Sequence, residues 1–565
     1  MVFGILQHLK AGTNNGNDNK MTENANTILS IENLSISIPE GGDRPFAVKE
    51  INLEIKPQEI LCVIGESGSG KSVTSFATMG LLPKVLKPTA GKIIFKGQNL
   101  LKLTERQLKD LKGDRMAMIF QEPMTALNPC YSIGNQIDEI FKKHRNISKA
   151  ERKQSVLKLL DEVHLPDPER LSKAYPHQLS GGQRQRVMIA MALALDPELL
   201  IADEPTTALD VTTQAQILNL IKELKTKHHA GILFITHDFG VVAEIADRVV
   251  VMQGGRVVEQ GSADEILNHA QNPYTRLLIS AVPRKASAII RQFDDKLVTL
   301  QANQIVKTFN TPGSFFSKGR TVHAVKSASF VVHKGETLGI VGESGSGKTT
   351  LVRCLIKLIE PDSGEIIIND VDFSKLSKEE LRKHRKNIQI IFQDPYSSLN
   401  PRRTIGDLII EGPLNFGISR ADAIKQAKEL LEIVQLNPDC LDRFPSQFSG
   451  GQRQRICIAR ALAVKPKVLI ADEAVSVLDV SVQKEVLKLL ANIRDEFGLT
   501  LVFITHDLRV AAQICDNIIV MKDGTIVERG SVDDVFDHPQ DQYTQSLLAA
   551  EPGKDWVIPD FSANQ

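Results

Sequence analysis

Short apolar runs rich in Val, Ile and Leu alternate with helical patterns along this chain, and the alternation occurs twice. Residues 59–64 and 337–341 are nearly continuous apolar runs that lead into glycine-rich loops, which predicts two buried strands. The residues after those loops, 72–82 and 350–359, have helical spacing. A strand, a loop and a helix in this order are typical of α/β folds with a mainly parallel sheet.

Other stretches predict further helices. The residues between 121 and 180 include amphipathic segments such as 150–163, which indicates a helical insert rather than sheet. Helical runs also begin shortly after two Ser-Gly-Gly sequences, at 183–195 and 452–463.

Motifs recur along the chain in unchanged order, and this recurrence predicts two copies of one domain. Lys71 and Lys348 are 277 residues apart, whereas the later pairs Glu204 with Glu473 and His237 with His506 are each 269 residues apart. Each copy is long enough to have its own core. The recurring segments are Gly65–Ser72 with Gly342–Thr349, Leu179–Arg186 with Phe448–Arg455, Leu200–Glu204 with Leu469–Glu473, and Phe234–Asp238 with Phe503–Asp507.

These repeats predict the domain boundaries. A charged linker separates the copies, and its roughly fifteen residues span ~50 Å at most, which allows two domains to lie side by side. The N-terminal stretch is rich in Asn and Gly, lacks a signal-peptide pattern and contains Met21 as an alternative start. The predicted segments are a disordered tail at 1–27, domains at 28–283 and 299–552, a linker at 284–298 and a C-terminal tail at 553–565.

Composition narrows the class of protein. The 565 residues include 68 Lys and Arg and 68 Asp and Glu, so the net charge gives no reason to expect a nucleic-acid partner. No apolar run reaches the ~18 residues that a membrane-spanning helix requires. The six cysteines lack metal-ligand spacing, and we interpret them as small core residues in a reducing compartment.

The recurring glycine loop has the pattern G-x-x-x-x-G-K-[ST] between a strand and a helix, which builds a backbone cradle for phosphates. Lys71 and Lys348 are expected to reach the outer phosphates of ATP, and Ser72 and Thr349 to ligate Mg²⁺. A chance glycine turn is a negligible alternative because the match occurs twice. The other loop residues predicted to bind ATP are Gly65, Ser67, Gly68, Gly70, Gly342, Ser344, Gly345 and Gly347.

Two apolar strands each end in a pair of carboxylates, Asp203–Glu204 and Asp472–Glu473. We expect Asp203 and Asp472 to hold Mg²⁺ through water, and Glu204 and Glu473 to orient and polarise the attacking water. An Asp or Glu at such a place is about as often a cap for the next helix. Downstream of a phosphate loop, the catalytic interpretation is the better one.

Ser180 and Ser449 each precede two glycines and a helical run. Either serine could be a plain N-cap. A small hydroxyl followed by Gly181 and Gly182, or by Gly450 and Gly451, also leaves a helix N-terminus open to an outside anion. The phosphate site of each domain is already complete, so the predicted ligand is a nucleotide held by another domain.

These motifs make the chain similar to ATP-binding cassette ATPases over nearly all of residues 28–552. The resemblance implies two P-loop domains, each with a mainly parallel sheet core, an antiparallel β part and a helical insert. It implies that the cassettes dimerise within the chain, head to tail, with one ATP site formed by Lys71 and Ser449 and the other by Lys348 and Ser180.

The same resemblance assigns further residues. Gln121 and Gln393 match the glutamine that joins Mg²⁺ to the transmembrane coupling surface, His237 and His506 match the switch histidine, and Asp210 and Asp479 match the D-loop aspartate. Phe309 matches the aromatic residue that stacks on adenine in the second copy. In the first copy Ile38 occupies that place, with Phe46 as a weak substitute. The sequence Asp-Glu-Pro-Thr at 203–206 becomes Asp-Glu-Ala-Val at 472–475.

Two further pairs of segments resemble parts of the oligopeptide and dipeptide importers. They are the segments that begin at Gln121 and Gln393, and the tails at 272–278 and 541–548. The resemblance implies an ATPase at the cytoplasmic face of the bacterial inner membrane, peripheral to two separate permease subunits and served by an extracytoplasmic solute-binding protein. Some relatives carry a cysteine-rich iron–sulfur segment after the cassette; because no such cysteine group follows Pro283 or Pro552, we predict none here. Alternatives are a sugar or nickel importer ATPase and a translation factor with two cassettes. A DNA-repair ATPase of this family would carry zinc-binding cysteines, and the sequence lacks cysteines with that spacing.

Overall fold

The computed structural model describes residues 27–39, 41, 44–207, 209–285, 291, 293–294, 296–311 and 320–561, without the side chains of residues 311 and 320. The chain forms two compact units. The first runs to Pro205 and adds Leu220–Thr236 and Ile245–Ile266; the second contains Thr206–Asn219, His237–Glu244 and the chain from Leu267. Most of the predicted N-terminal tail, part of the predicted linker and residues 562–565 lie outside the described residues.

The first unit contains two sheets. A four-stranded antiparallel sheet has the order β2-β1-β4-β5, and a six-stranded sheet has the order β10-β9-β3-β8-β7-β6. In the larger sheet every neighbouring pair is parallel except β9 with β10. The strands are β1 Leu29–Ser37, β2 Phe46–Ile55, β3 Ile60–Ile64, β4 Lys87–Phe95, β5 Gln98–Asn99, β6 Met116–Ile119, β7 Leu199–Asp203, β8 Gly231–Ile235, β9 Arg248–Gln253 and β10 Arg256–Ser262.

The second unit repeats this topology. Its sheets have the orders β12-β11-β14-β15 and β16-β17-β18-β13-β19-β20, and the larger one is again parallel except at β19 with β20. The strands are β11 Val298–Thr311, β12 Arg320–His333, β13 Thr337–Val341, β14 Ser363–Ile368, β15 Val371–Asp372, β16 Ile388–Ile391, β17 Val468–Asp472, β18 Thr500–Ile504, β19 Asn517–Lys522 and β20 Thr525–Ser531.

The helices follow the strands in the same order in both repeats, except that a short 3-10 helix, Pro438–Asp442, stands in the second repeat where the first has its sixth helix. Those of the first repeat are α1 Lys71–Thr78, α2 Glu105–Leu111, α3 Pro123–Ala126, α4 Ile133–His144, α5 Lys149–Glu162, α6 Pro168–Leu171, α7 Gly181–Leu193, α8 Val211–His228, α9 Phe239–Ile245, α10 Ala263–His269 and α11 Pro273–Ala281. Those of the second are α12 Lys348–Leu355, α13 Lys378–His384, α14 Pro395–Ser398, α15 Ile405–Asn415, α16 Arg420–Ile433, α17 Gly450–Leu462, α18 Val480–Phe497, α19 Leu508–Ile514, α20 Val532–Asp537 and α21 Gln542–Ala549.

The predicted fold class is confirmed: parallel sheet, antiparallel sheet and helical insert occur in each repeat. The central strands β3, β7 and β8 are buried at every residue, as expected for a parallel sheet covered on both faces. The helical insert of the second unit shares its core with the sheet, since Ile405, Leu431 and Ile456 are fully buried in one cluster with Leu469 of β17 and Leu501 of β18.

Helix boundaries differ from the predictions by a few residues. The helices after the glycine loops end at Thr78 and Leu355, not at 82 and 359, because Gly80 and Lys357 turn the chain into the left-handed region with φ of 57° and 52°. The helices predicted at 183–195 and 452–463 begin two residues earlier, since Ser180 and Ser449 are their N-caps.

Cysteine burial divides the six residues. Cys62, Cys354, Cys440 and Cys457 are buried, Cys515 is partly buried, and Cys130 is exposed. Cys130 therefore does not serve as the small core residue that the sequence suggested. Among the helices of the described residues, none combines the length and apolar character needed to cross a bilayer.

Candidate functional site

The glycine loop of the second unit wraps around the ammonium group of Lys348. The Lys348 Nζ donates to the carbonyl oxygens of Gly342 at 2.7 Å and Glu343 at 2.8 Å, and lies 3.4 Å from the hydroxyl of Ser346. Gly347 caps α12 with φ of 103°, and a Cβ there would lie 2.2 Å from the Ala324 carbonyl oxygen, so only glycine fits. The loop thus places a buried cation at a helix N-terminus.

Burial lowers the pKa of Lys348, although the carboxylates of Glu473 and Asp210 oppose that shift. A buried ammonium held by neutral oxygens is poised to bind an anion, because a phosphate offers it stronger partners than carbonyl and hydroxyl oxygens do.

The first unit builds the same loop with almost the same distances. The Lys71 Nζ donates to the carbonyls of Gly65 at 2.6 Å and Glu66 at 2.9 Å, and Gly70 caps α1 with φ of 102°. The Ser72 hydroxyl donates to Asp203 Oδ1 at 3.1 Å. Ser72 lies in the first turn of α1 and Asp203 ends β7, so the fold brings the two predicted Mg²⁺ ligands together.

The aspartates at the ends of β7 and β17 have raised pKa values. Burial raises the pKa of Asp203 to about 6 against the opposing hydrogen bond from Ser72. Burial and the adjacent Glu473 raise the pKa of Asp472 to about 6. The Asp472 Oδ1 atom is buried and lacks a hydrogen-bond partner in the part of the chain that the structure describes.

An orphaned buried carboxylate oxygen beside a threonine hydroxyl fits Mg²⁺. This cation takes oxygen ligands and is held in proteins by one or two carboxylates together with substrate phosphates. The donors of the second unit, Thr349, Gln393 and Asp472, are therefore chemically suited to it, and Ser72, Gln121 and Asp203 are the corresponding residues of the first unit.

The predicted catalytic glutamates share an unusual backbone conformation. Glu204 and Glu473 have φ of 47° and 48°, and their N–H groups each donate to the last residue of the next strand, Ile235 and Ile504, at 3.0 Å. The left-handed region costs a residue with a Cβ roughly 1–2 kcal/mol. Such strain concentrates at functional sites, where the surrounding structure holds it in place.

Side chains from two other loops reach these glutamates. The amide of Gln121 donates to Glu204 Oε2 at 2.9 Å, and that of Gln393 donates to Glu473 Oε2 at 2.7 Å. His506 Nδ1 lies 3.5 Å from Glu473 Oε2.

The charges of this histidine and this glutamate shift each other's pKa. Burial raises the pKa of Glu473, but His506, Lys348 and Gln393 together outweigh that effect and hold the pKa below its usual value. Burial lowers the pKa of His506, but the carboxylates of Glu473 and Asp507 together outweigh burial, and the pKa of the histidine is raised. Glu473 is thus held as a carboxylate, the form that can accept a proton from water.

Ser180 and Ser449 are N-caps, as the simpler interpretation suggested. Ser180 and Ser449 accept hydrogen bonds from the N–H groups of Gln183 and Gln452, each at 3.3 Å, and both glutamines complete a capping box. Both serines are also exposed. A cap at an exposed helix N-terminus leaves the remaining N–H groups available to an anion.

Phe309 is 40% exposed at the rim of a cleft of about 760 Å³ in the second unit. The same cleft is lined by Lys348, Thr349 and Glu473, so an aromatic face and a phosphate loop share one cavity. The Lys307 ammonium lies 5.6 Å from the Phe309 ring centroid.

The corresponding place in the first unit is built differently. Ile38 packs against the hydrophobic core of that unit, whereas Phe46 lies on the facing strand, opposite Ser37. The Lys49 ammonium lies 5.4 Å from the Phe46 ring centroid.

Residues from the first repeat also belong to the second unit. His237 and Asp210 lie there, and the Asp210 carboxylate is close enough to Lys348 to raise the pKa of that lysine. Asp210 N-terminally caps α8 by accepting from the Thr213 N–H at 2.9 Å.

Tyr543 is a residue whose local role the sequence motifs did not reveal. Its hydroxyl accepts a hydrogen bond from the backbone N–H of Glu343, in the glycine loop, at 3.1 Å. Burial raises the pKa of Tyr543 to about 12, so the hydroxyl stays protonated. The recurrence of a tyrosine in both tails, as Tyr274 and Tyr543, was the available signal.

Two phosphate loops, each joined to a strand-end Asp-Glu pair and an exposed capped helix, define an ATPase with two nucleotide-binding cassettes. The profile of the "ABC transporter" family matches residues 48–207 and 325–476. The profile "Oligopeptide/dipeptide transporter, C-terminal region" matches residues 258–317. The chain belongs to the ABC transporter family, as its ATP-hydrolysing, ATP-binding component.

Curated relatives match nearly the whole chain. The glutathione import ATP-binding proteins GsiA of Shigella dysenteriae serotype 1 (strain Sd197) and of Escherichia coli (strain K12) are each 46% identical to it, over 94% of this chain and 90% of theirs. A solved dimeric ATP-binding cassette bound to ADP and Pi is 30% identical and covers 41% of this chain and 98% of its own, with a TM-score of 0.38. The predicted family resemblance is confirmed.

Proposed function

We propose that this chain powers the import of peptides or peptide-like solutes, glutathione among them, by hydrolysing ATP at two composite sites. The proposal rests on the presence of one complete set of motifs in each repeat. Each set consists of a phosphate loop, an Asp-Glu pair, a glutamine, a helix capped by Ser180 or Ser449, and a histidine. The match to the oligopeptide/dipeptide transporter region and the relatives that import glutathione support the solute class.

In each site the residues have separate roles. Lys71 and Lys348 bind the outer phosphates; Glu204 and Glu473 orient and polarise the attacking water; His237 and His506 contact the γ-phosphate. Mg²⁺, held by Ser72, Gln121 and Asp203 or by Thr349, Gln393 and Asp472, neutralises phosphate charge. Phe309 stacks on adenine in the second site.

Each site takes residues from both repeats in this proposal. Ser449 completes the site of Lys71, and Ser180 completes the site of Lys348. The proximity of Asp210 to Lys348 within the second unit supports the exchange, since the D-loop of one repeat reaches the phosphate loop of the other. The cassettes are residues 28–283 and 299–552, joined by the linker 284–298.

The partners follow from the family. Two separate permease subunits dock near Gln121 and Gln393, an extracytoplasmic binding protein supplies the solute, and the chain lies at the cytoplasmic face of the bacterial inner membrane. The short helices that follow these glutamines are exposed at Met124 and Tyr396, which are 61% and 57% accessible, and an exposed apolar position next to a catalytic loop suits a protein contact.

Reconstitution tests the proposal. The chain is copurified with the permease pair of its operon, placed in liposomes with the matching binding protein, and assayed for ATP hydrolysis and uptake with glutathione, a tripeptide, maltose and Ni²⁺. We expect glutathione or the tripeptide to stimulate both activities. Stimulation by maltose or Ni²⁺ alone, or recovery of the chain with ribosomes and without a permease, would contradict it.

A further inference from the structure

The chain beyond α21 packs against two helices of the second unit. Residues 551–556 contact α9 and α19, the helices that begin at Phe239 and Leu508. Each helix begins two residues after a switch histidine, His237 or His506. The C-terminal segment therefore lies next to the loops that carry both histidines.

Trp556 makes an aromatic contact with α9 and a hydrogen bond to α10. The Trp556 ring stacks on Phe239, with ring centroids 6.4 Å apart and an interplanar angle of 20°. The Trp556 Nε1–H donates to Asn268 Oδ1 at 3.1 Å. Phe239 is only 2% exposed, and the indole is among the groups that cover this apolar side chain.

A close approach of two glycines places the segment on α9. A Cβ on Gly240 would lie 2.5 Å from the carbonyl oxygen of Pro552, and a Cβ on Gly553 would lie 2.7 Å from the carbonyl oxygen of Gly240. Gly553 has φ of 65°, in the left-handed region. The two backbones meet because neither residue has a side chain.

The segment contacts α19 through Arg509, whose guanidinium lies next to Gly240. Arg509 Nε pairs with Glu551 Oε1 at 2.6 Å, and its Nη2 donates to the carbonyl of Pro552. Both side chains of the pair are 16% exposed. Burial lowers the pKa of Arg509, but the carboxylates of Asp238, Glu551 and Asp507 outweigh burial, so the pKa is raised overall.

The two repeats contribute different residues to this contact. Gly240 and Arg509 occupy the same place in their motifs, three residues after His237 and His506. A Cβ on Gly240 would lie 2.6 Å from the Arg509 guanidinium, so the small residue of one repeat makes room for the large residue of the other. A chain that joins both repeats can keep this asymmetry, because each position mutates independently.

The helices tie this contact to the histidine loops. Asp238 Oδ1 accepts from the Gly240 N–H at 2.7 Å, and Asp507 Oδ1 accepts from the Arg509 N–H at 2.9 Å. Each aspartate directly follows a switch histidine. A shift at Gly240 or Arg509 therefore moves the loop that carries the histidine.

We propose that residues 551–556 form a latch that holds α9 and α19 at a fixed spacing, and that Arg509 is a positioning residue that aligns the His237 and His506 loops for ATP hydrolysis. Arg509 acts through the loops. This inference concerns only the hydrolysis step, so it is independent of which solute is transported.

Steady-state ATPase kinetics of the purified full chain test the latch. The variants are Arg509→Ala, Arg509→Lys, Trp556→Ala and Trp556→Phe, and Val557→Ala is the matched control because Val557 is 85% exposed beside the latch. We expect Arg509→Ala and Trp556→Ala to lower kcat about tenfold with KM for ATP within about twofold, since small displacements of catalytic groups cost rate rather than binding. Arg509→Lys and Trp556→Phe should restore part of kcat, and the control should match the wild type.

Hydrogen exchange of residues 237–244 provides a second measurement. We expect exchange there to be faster in Trp556→Ala than in Val557→Ala, even if Arg509→Ala does not fold. The latch is overturned if kcat of Trp556→Ala stays within twofold of the wild type, if KM rises in place of a fall in kcat, or if exchange at 237–244 does not change. A failure of solute-stimulated transport with intact ATPase kinetics would contradict the import proposal and leave these outcomes decisive for the latch.

Discussion

At the scale of single residues, Glu473 has a strained backbone conformation that costs stability and that its proposed catalytic role explains. Its φ of 48° favours glycine, yet a carboxylate stands there, beside Gln393 and His506. Glu204 has the same conformation in the first unit. The strain is retained because the carboxylate must face the end of the sheet, where the glycine loop also opens.

Replacing this glutamate in two ways tests that account. We expect Glu473→Gly to be about 1 kcal/mol more stable than Glu473→Ala, because glycine enters the left-handed region without a Cβ clash. Both variants should lose hydrolysis at the second site. Chemical denaturation measures the difference; equal stabilities, or a more stable alanine variant, would mean that the backbone is not strained there.

The carboxyl group of Glu551 predicts a pH dependence of stability. Burial raises its pKa to about 7, against Arg509, while Asp507 and Asp238 add to the increase. The folded chain therefore holds this proton more tightly than the unfolded chain, and the stabilisation is lost as pH rises toward 7 and above. Relative to the wild type, Glu551→Gln should gain about 2 kcal/mol of unfolding free energy between pH 5 and pH 8.

Melting curves of both proteins across that pH range measure the effect. The difference in Tm between Glu551→Gln and the wild type should grow as the pH rises. Glu105→Gln is a suitable control, because Glu105 is an exposed residue whose pKa is lowered by its pairing with Lys109. A difference that stays constant with pH would show that Glu551 titrates in its ordinary range.

At the scale of secondary-structure elements, α21 supports the glycine loop of the second unit. Tyr543 lies in its first turn and accepts from the Glu343 N–H, and the carbonyl of Glu343 in turn accepts from Lys348. Removing the hydroxyl leaves a backbone N–H without that partner, which costs about 1 kcal/mol. A C-terminal helix thereby holds a loop two hundred residues earlier in the chain.

Tyr543→Phe should weaken ATP binding at the second site about fivefold, since about 1 kcal/mol corresponds to that factor in affinity. Titration with a fluorescent ATP analogue measures it, in a background where the first site is disabled by Lys71→Ala. Tyr131→Phe is the control, because Tyr131 is 57% exposed. Unchanged affinity would mean that the hydrogen bond of the Tyr543 hydroxyl does not support ATP binding.

Local sequence patterns predicted the elements of the site better than their ends. The strand 337–341 has the predicted bounds, because a continuous apolar run between polar residues leaves little freedom. The predicted ends of α1 and α12 were wrong by a few residues, because Gly80 and Lys357 adopt a left-handed backbone conformation that ends each helix. The positive φ of Glu204 and Glu473 leaves no trace in a pattern of apolar residues.

At the scale of the whole molecule, the repeats in sequence and the compact units do not coincide. Thr206–Asn219 and His237–Glu244 belong by sequence to the first repeat but pack in the second unit. Periodicity and motif spacing describe neighbours along the chain, so they assigned these segments to the first domain. Trp556 and Arg509 show the cause: their partners Phe239 and Gly240 are hundreds of residues away in sequence.

The presence of two complete sites in one chain leads to the last prediction. In the proposed function, the two cassettes close around two nucleotides and reopen after both are hydrolysed. We therefore expect Glu204→Gln and Glu473→Gln each to lower ATP turnover of the full chain by more than half. Single-turnover assays with radiolabelled ATP would separate the sites, since each variant should retain one occluded nucleotide. Glu105→Gln again serves as the control. If either glutamate can be replaced without loss of turnover, its site binds ATP without hydrolysing it, and the transport cycle is driven from the other site alone.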